Sequence, residues 1–237
     1  MDSAFYNEKR NEDHFYLAGK RSLIKQLLQK AKLPTRATIL DIGCGSAAEL
    51  ETLFPFGQIT ALDNNPQIIK RLKHQYTTIC CDISSANLKP ATFDSIVAFD
   101  VLEHIKNQAS ALKNIHHALK DDGHFILTVP AYPALYSQHD RALNHKRRYT
   151  RHTLLNVLEQ NGFDCIAIGH WNSALFPLIA IKRLLGKKIQ PGESELRPII
   201  TPLNTLFKYL LLIEAAIATR IPLPFGISIW AICKKTG

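Results

Sequence analysis

Within twelve residues, "HDRALNHKRRYT" (139–150), the chain sets two histidines, an aspartate, four cations and a tyrosine. Imidazole changes charge near neutrality, so it can take a proton from a hydroxyl or amine, and a nearby carboxylate can orient it. His139 and His145 are therefore candidate bases, with Asp140 as the orienting acid. A metal reading of His139, Asp140 and His145 is disfavoured, because one loop would have to supply every ligand of a preorganised site. No metal is assigned. A nucleic-acid reading of Lys146, Arg147 and Arg148 lacks stacking platforms, since Tyr149 is the one aromatic nearby. The plainer alternative is that Arg147 and Arg148 pair with carboxylates and fix the loop. Upstream, "DVLEHI" adds His104 as a third candidate base, beside Glu103, for which a local hydrogen-bonding role is expected.

A second group is "DIGCGSAAEL" (41–50). Gly43 and Gly45 let the backbone approach a ligand where a Cβ would collide. Asp63, twenty positions after Gly43, closes the next apolar run and can accept from two ribose hydroxyls. The string "GCGSAA" also satisfies a dinucleotide fingerprint. Against a pyrophosphate, Glu49 and Glu51 fall in the first turn of the following helix, where they would oppose the anion. A phosphate-free cofactor with a cationic centre tolerates them.

Alternating elements must position these groups. "GKRSLIKQLLQKAKL" (19–33) has helical spacing and is ended by Pro34. "ATILDIG", "QITALD", "TTICCD", "FDSIVAFD", "HFILTVP", "FDCIAIGH" and "GISIWAICKK" read as strands. Between them, "SAAELETLF", "NPQIIKRLK", "NQASALKNIHHALK" (closed by Asp122-Gly123) and "RHTLLNVLEQNG" read as helices. This is an α/β chain with a mostly parallel sheet covered on both faces, its ligand beyond the carboxyl ends of the strands. A single domain is expected: cap and helix over 1–36, cofactor-binding core over 37–170, an apolar helical insertion over 171–222 and the final strand over 223–237.

From "ILDIGCGS" through "NGF" the sequence resembles the class I S-adenosylmethionine-dependent methyltransferases. "LDIGCG" is similar to that family's first motif, "ALDNNP" to its second with the ribose-binding acid, "CCDI" to the segment near adenine, and "FDSIVAFDVLEHI" to its fourth-strand segment. The resemblance implies a Rossmann-like seven-stranded sheet of order 3-2-1-4-5-7-6 with the last strand antiparallel, and S-adenosylmethionine as cofactor. It implies that Asp41, Gly43, Cys44 and Gly45 contact the methionine part and that Asp63, with Asn64, holds the ribose. Asp82 and Ile83 would frame the adenine, while Asp100 and Val101 would line the site with His104. Ala47 departs from the family, which often has a third glycine there; its methyl is tolerable at a negative φ. "HFYLAGKRSLI" looks like a cap of one branch, so Phe15 and Tyr16 either close over the site or pack on the sheet. In that branch a His-Asp pair and a later His-x-Arg-Arg-Tyr belong to the acceptor side. This would set His139, Asp140, His145, Arg147, Arg148 and Tyr149 near the substrate.

The 237 residues are 46% hydrophobic and 21% charged, enough for one sizeable core. A net charge of +9 favours anionic partners without choosing among them. Five scattered cysteines without C-x-x-C spacing argue for a reducing cytoplasm. The N-terminus is too charged for a signal peptide, and no long uncharged apolar run predicts a spanning helix. In the insertion, "SALFPLIAIKRLLGKK" sets Lys182, Arg183, Lys187 and Lys188 beside Leu and Ile, a pattern suited to an anionic membrane surface. Only Lys208 and Glu214 interrupt 206–218, so most of that helix must be covered. Membrane or lipid contact ranks ahead of packing on the domain or in a dimer interface. The expectation is a cytoplasmic methyltransferase, peripheral on the inner membrane face, acting on a small hydrophobic or lipid-linked acceptor, with nucleic acid disfavoured as a partner. The alternatives are a degenerate methyltransferase-fold module binding a partner or RNA, and an NAD-dependent reductase.

Overall fold

The run "ATILDI" forms the central strand of the computed structural model, which describes residues 14–45, 47, 49–184 and 200–236. This strand, β1 (Ala37–Ile42), is buried at every position but Thr38, as a parallel strand covered on both faces must be. Around it lie β2 (Gly57–Asp63), β3 (Thr77–Cys80), β4 (Phe93–Phe99), β5 (Leu119–Pro130), β6 (Phe163–Trp171) and β7 (Ser228–Lys235). Their order is β3-β2-β1-β4-β5-β7-β6. The strands from β3 to β5 pair in parallel, and β7 runs antiparallel to β5 and β6. Strand order and direction agree with the expected fold.

Helices α1 (Phe15–Ala31), α2 (Leu50–Leu53), α3 (Pro66–Leu72), α4 (Gln108–Ala118), α5 (Gln138–Ala142), α6 (Arg151–Glu159), α7 (Phe176–Leu184) and α8 (Thr201–Ala218) complete the chain. On one face of the sheet, Leu23, Ile24, Leu27 and Leu28 of α1 pack with Ile39, Val97, Trp230 and Leu211 of α8. On the other, Leu112 and Ile115 of α4 and Leu154 and Leu158 of α6 cover Leu40, Ile96 and Phe125. The sheet order reverses between β1 and β4. The crevice at their carboxyl ends is therefore where a ligand belongs, and residues 43–45 and 100–104 both begin there.

Two elements differ from the sequence expectation. The helix expected over "SAAELETLF" is α-helical only at Leu50–Leu53 and tightens to a 3₁₀ turn at Phe54–Phe56, where Pro55 supplies no amide. Helix α4 ends at Ala118 instead of running to Lys120. Leu119, fully buried, turns extended to pair with Phe93, and Lys120 reaches Asp94 at 3.0 Å.

Candidate functional site

Beyond β1 the chain turns through Gly43 (φ 71°) and Gly45 (φ 50°). At Gly43 a Cβ would lie 2.7 Å from Val101 Cγ2, so glycine is what lets the loops after β1 and β4 meet. The Gly43 and Cys44 amides both donate to the Leu62 carbonyl, at 2.7 and 3.2 Å, pinning the turn to β2. At Gly45 a Cβ would meet only the Gly43 carbonyl, 3.7 Å away, so the loop is open in front. Asp63, 8% exposed, accepts the Gly45 amide at 3.1 Å on one oxygen and the Asn65 amide at 2.8 Å on the other. Its rotamer is thus fixed while lone pairs remain for a ligand.

Asn64 is exposed beside it, and Cys44 and Asp41 are buried. Burial, then the charges of Glu49 and Asp63, push the Asp41 carboxyl well above its usual range. Asp82 is exposed and accepts the Ser84 amide and hydroxyl at 2.7 and 2.8 Å. Ile83 is 4% exposed, and its side chain packs in the core. Ala47 has φ 68°, not the negative value its methyl prefers, so the missing third glycine leaves a strained residue in the loop.

The sequence reading missed Lys20. It shares the stripe of Leu23, Ile24 and Leu27, and that spacing is the signal that could have found it. Its ammonium lies 3.1 Å from Glu49 Oε1 and 3.0 Å from Asp100 Oδ2. Burial would lower its pKa, but Asp100 and Glu49 together raise it well above the usual value. Asp100 sits at φ 57°, its amide bonded to the Thr128 carbonyl at 3.0 Å and its carboxylate to the Thr128 hydroxyl at 2.9 Å. Held in this way, Asp100 and Val101 frame the crevice between β1 and β4. Among the described residues, Glu49 and Asp100 share one buried ammonium, with Asp63 and Asp41, the latter held toward its neutral form, nearby. That charge balance repels a pyrophosphate and suits a cation, so the residues fit S-adenosylmethionine and not a nicotinamide dinucleotide.

Three residues after Asp100, Glu103 and His104 meet the loop that follows β5. The His104 and His145 rings stand edge to face with centroids 4.7 Å apart. Asp140 accepts His145 Nδ1 at 2.9 Å and Arg148 Nε at 2.7 Å on one oxygen, and the Ser137 amide at 2.9 Å on the other. Asp140 therefore orients His145. His139 lies half-buried on α5 and is not part of the Glu103–His104–His145 group. Burial first, then His145, push His104 down to about 4. Glu103 is fully buried, neither carboxylate oxygen has a hydrogen bond, and burial, then Asp100, push its carboxyl well above the usual range.

Arg147, Arg148 and Tyr149 are bonded into the frame, and for Arg148 this is the carboxylate pairing that the plainer reading expected. Arg148, its side chain 1% exposed, is spent on Asp140 and on the Ala131 carbonyl at 2.9 Å. Arg147 ties the start of α4 through Gln108 at 2.7 Å and the Ile105 carbonyl at 3.1 Å. Tyr149, 3% exposed, hydrogen-bonds Gln108 through its hydroxyl, and its amide donates to the Pro130 carbonyl at 3.0 Å. Within the loop, Arg147 and Arg148 turn into the frame, while Arg141 and Lys146 are exposed.

Of the two alternatives for Phe15 and Tyr16, packing is observed: Phe15 meets Phe207 at 5.4 Å and Tyr16 meets Trp171 at 5.6 Å. At Gly19 a Cβ would lie 2.7 Å from Leu211 Cβ, so α1 and α8 cross at close range. Glu214 is buried and accepts the Ser173 and Ala174 amides at 2.7 and 2.9 Å. The rest of α8 is less covered than its sequence predicts. Leu206, Tyr209 and Ile213 are 61, 62 and 60% exposed, and Leu178 and Ile181 of α7 are 62 and 58% exposed. Lys187 and Lys188 lie outside the described residues. No helix among the described residues is long and apolar enough to cross a membrane.

Residues 10–168 match the sequence profile of a methyltransferase-domain family. An N-methyltransferase of Papaver somniferum is 28% identical over 138 residues, which cover 53% of this chain and 39% of that protein. A ubiquinone biosynthesis O-methyltransferase of Xanthomonas campestris is 27% identical over 111 residues, covering 43% and 46%. The chain thus spans less than half the length of these curated relatives. In fold, it is similar to a SAM-dependent methyltransferase of Archaeoglobus fulgidus, with TM-score 0.59, 20% identity, and coverage of 91% of this chain and 94% of that one.

Proposed function

From the premise that this chain belongs to the methyltransferase-domain family, we propose that it transfers a methyl group from S-adenosylmethionine to a small hydrophobic or lipid-linked acceptor. Asp41, Gly43, Cys44 and Gly45 would hold the methionine part of the cofactor, Asp63 and Asn64 the ribose, and Asp82 the edge of the adenine, with Asp100 and Val101 lining the crevice. When bound, the cofactor supplies a methyl already activated on a sulfonium. The chain's own residues are then left to align the acceptor, exclude water and remove a proton from a hydroxyl or amine.

The observation that carries this reading is the imidazole pair beside Asp100. His145 is turned by Asp140 so that Nε2 faces Glu103, and His104 stands against it. Both are base candidates at the mouth of the cofactor crevice, and burial keeps His104 uncharged at neutral pH. His139 is the third, from the rim on α5. The exposed apolar side chains of α7 and α8 support a greasy acceptor delivered from the inner face of an anionic membrane in the cytoplasm, with exposed Arg220 beside them.

Incubating the protein with methyl-labelled cofactor and a cell extract, then separating lipid, protein and RNA, tests the reading. Label in the lipid fraction is expected, together with sedimentation on anionic vesicles at low salt. Label confined to protein or RNA would overturn the acceptor class. Failure to sediment would remove the membrane part, and cofactor binding without any transfer would favour a binding module.

A further inference from the structure

We propose that Glu103, His104 and His145 bind one divalent transition-metal ion beside the cofactor crevice. One ligand atom from each lies within 4.8 Å of the other two. Two imidazoles and a carboxylate are a donor set that such ions accept, with a fourth position left for water or an acceptor oxygen. Tetrahedral bonds of about 2.0–2.2 Å set ligand atoms roughly 3.4 Å apart. The gap of 4.0 Å between His145 Nε2 and Glu103 Oε1 therefore needs to close by only about half an ångström.

The state of Glu103 is an independent reason. It is 0% exposed, and neither of its oxygens has a hydrogen bond. Burial, then the charge of Asp100, push its carboxyl well above the usual range. Without an ion it is therefore a neutral acid whose oxygens still lack partners, and a bound cation would draw it to the charged form. Among the described residues, Lys20 is committed to Glu49 and Asp100, and Arg148 to Asp140. The main chain around it is firmly placed, since the Glu103 carbonyl accepts the Lys146 amide at 2.8 Å, adjacent to His145.

His145 also has the outer partner that metal-bound imidazoles usually carry. Its Nδ1 bonds Asp140 at 2.9 Å, which leaves the Nε2 lone pair turned toward Glu103. The ligands come from two segments, after β4 and after β5, that the fold holds against each other. The disfavoured ligand set of the loop alone, His139, Asp140 and His145, lacked this second segment. Asp140 supports the site from behind instead of ligating. The role of the ion, holding and acidifying an acceptor oxygen, rests on the acceptor reading above and replaces His104 and His145 as bases there, because coordination occupies their lone pairs. The presence of the ion does not rest on that reading.

Tag-free protein dialysed against a chelator and titrated with cobalt(II) alone tests the site without turnover. The expected result is one equivalent bound at micromolar concentration or tighter, with the visible ligand-field bands of low-coordinate cobalt displaced by zinc(II). Glu103→Gln and His145→Ala should each weaken binding at least tenfold, and Asp140→Asn by about tenfold or more. Binding of S-adenosylhomocysteine by metal-free protein should be unchanged, which separates failure of this site from failure of the cofactor assignment. Glu103→Gln should also unfold in chelator close to the wild-type temperature, because without a metal it exchanges one uncharged buried polar group for another. No equivalent bound by the wild type, or equal binding by Glu103→Gln and wild type, overturns the proposal.

Discussion

Lys20→Met keeps an unbranched stem and removes the ammonium that bridges Glu49 and Asp100 at the crevice. The Lys20 side chain is 11% exposed, and those of Glu49 and Asp100 are 21 and 27% exposed. Breaking a fully buried pair costs about 3–5 kcal/mol, and the partial exposure of both carboxylates brings this to about 2 kcal/mol. At roughly 2–4 °C per kcal/mol for a chain of this size, Tm should fall by about 4–8 °C. The electrostatic consequence runs the other way for a cationic ligand. A unit charge about 8 Å away at an effective dielectric of about 20 is worth about 2 kcal/mol. The sulfonium cofactor should therefore gain about thirtyfold in affinity relative to S-adenosylhomocysteine, whose sulfur is neutral. Thermal unfolding and calorimetry with both ligands measure the two effects. A Tm unchanged from the wild type, or an equal change in affinity for both ligands, would refute the assignment of Lys20 to the cofactor crevice.

Other substitutions probe the frame. Asp94 accepts the Thr38 amide and hydroxyl at 2.8 and 2.7 Å and the Lys120 ammonium at 3.0 Å. Burial works against its charge, but these donors hold its carboxyl below the usual value. Its contribution is then full above the unfolded pKa near 4 and lost as pH falls through the folded value. Asp94→Asn should cost about 1–2 kcal/mol in urea unfolding at pH 7 and converge with wild type in acid. Ala47→Gly should stabilise by about 0.5–1 kcal/mol in the same assay, because glycine adopts φ 68° without strain. Arg148→Ala strips a cation from fully buried Asp140 and should cost about 3 kcal/mol, with cofactor affinity nearly unchanged in calorimetry.

The sheet was legible because its strands are short apolar runs stopped by Gly, Asp or Pro, and β1 needs no partner information to be read as buried. The crevice was legible through Gly43, Gly45 and Asp63, whose types and spacing constrain the backbone directly. What was not legible depended on contacts across the chain. Lys20 reads as solvated until Asp100 and Glu49 are brought to it from elements far along the sequence. For Arg148 the sequence left substrate contact and carboxylate pairing both open, and only the fold shows that Asp140 and the Ala131 carbonyl take it, as Gln108 takes Tyr149. Glu103 and His145 lie 42 positions apart, so their meeting follows from the pairing of β4 with β5 and not from local spacing. The covering of α8 by α1 on one side only is likewise a matter of packing, which an apolar helix alone does not reveal.

The central claim is that the loops after β1 and β2 form a cradle for S-adenosylmethionine. Calorimetric titration of S-adenosylhomocysteine into wild type and Asp63→Ala tests it most directly. Wild type should bind one equivalent. Loss of a charged acceptor is worth about 1.5–3 kcal/mol per hydrogen bond, so Asp63→Ala should bind at least tenfold more weakly. Its circular dichroism should stay that of the folded protein. Wild type that binds nothing, or a folded Asp63→Ala that binds as tightly as wild type, would contradict the account.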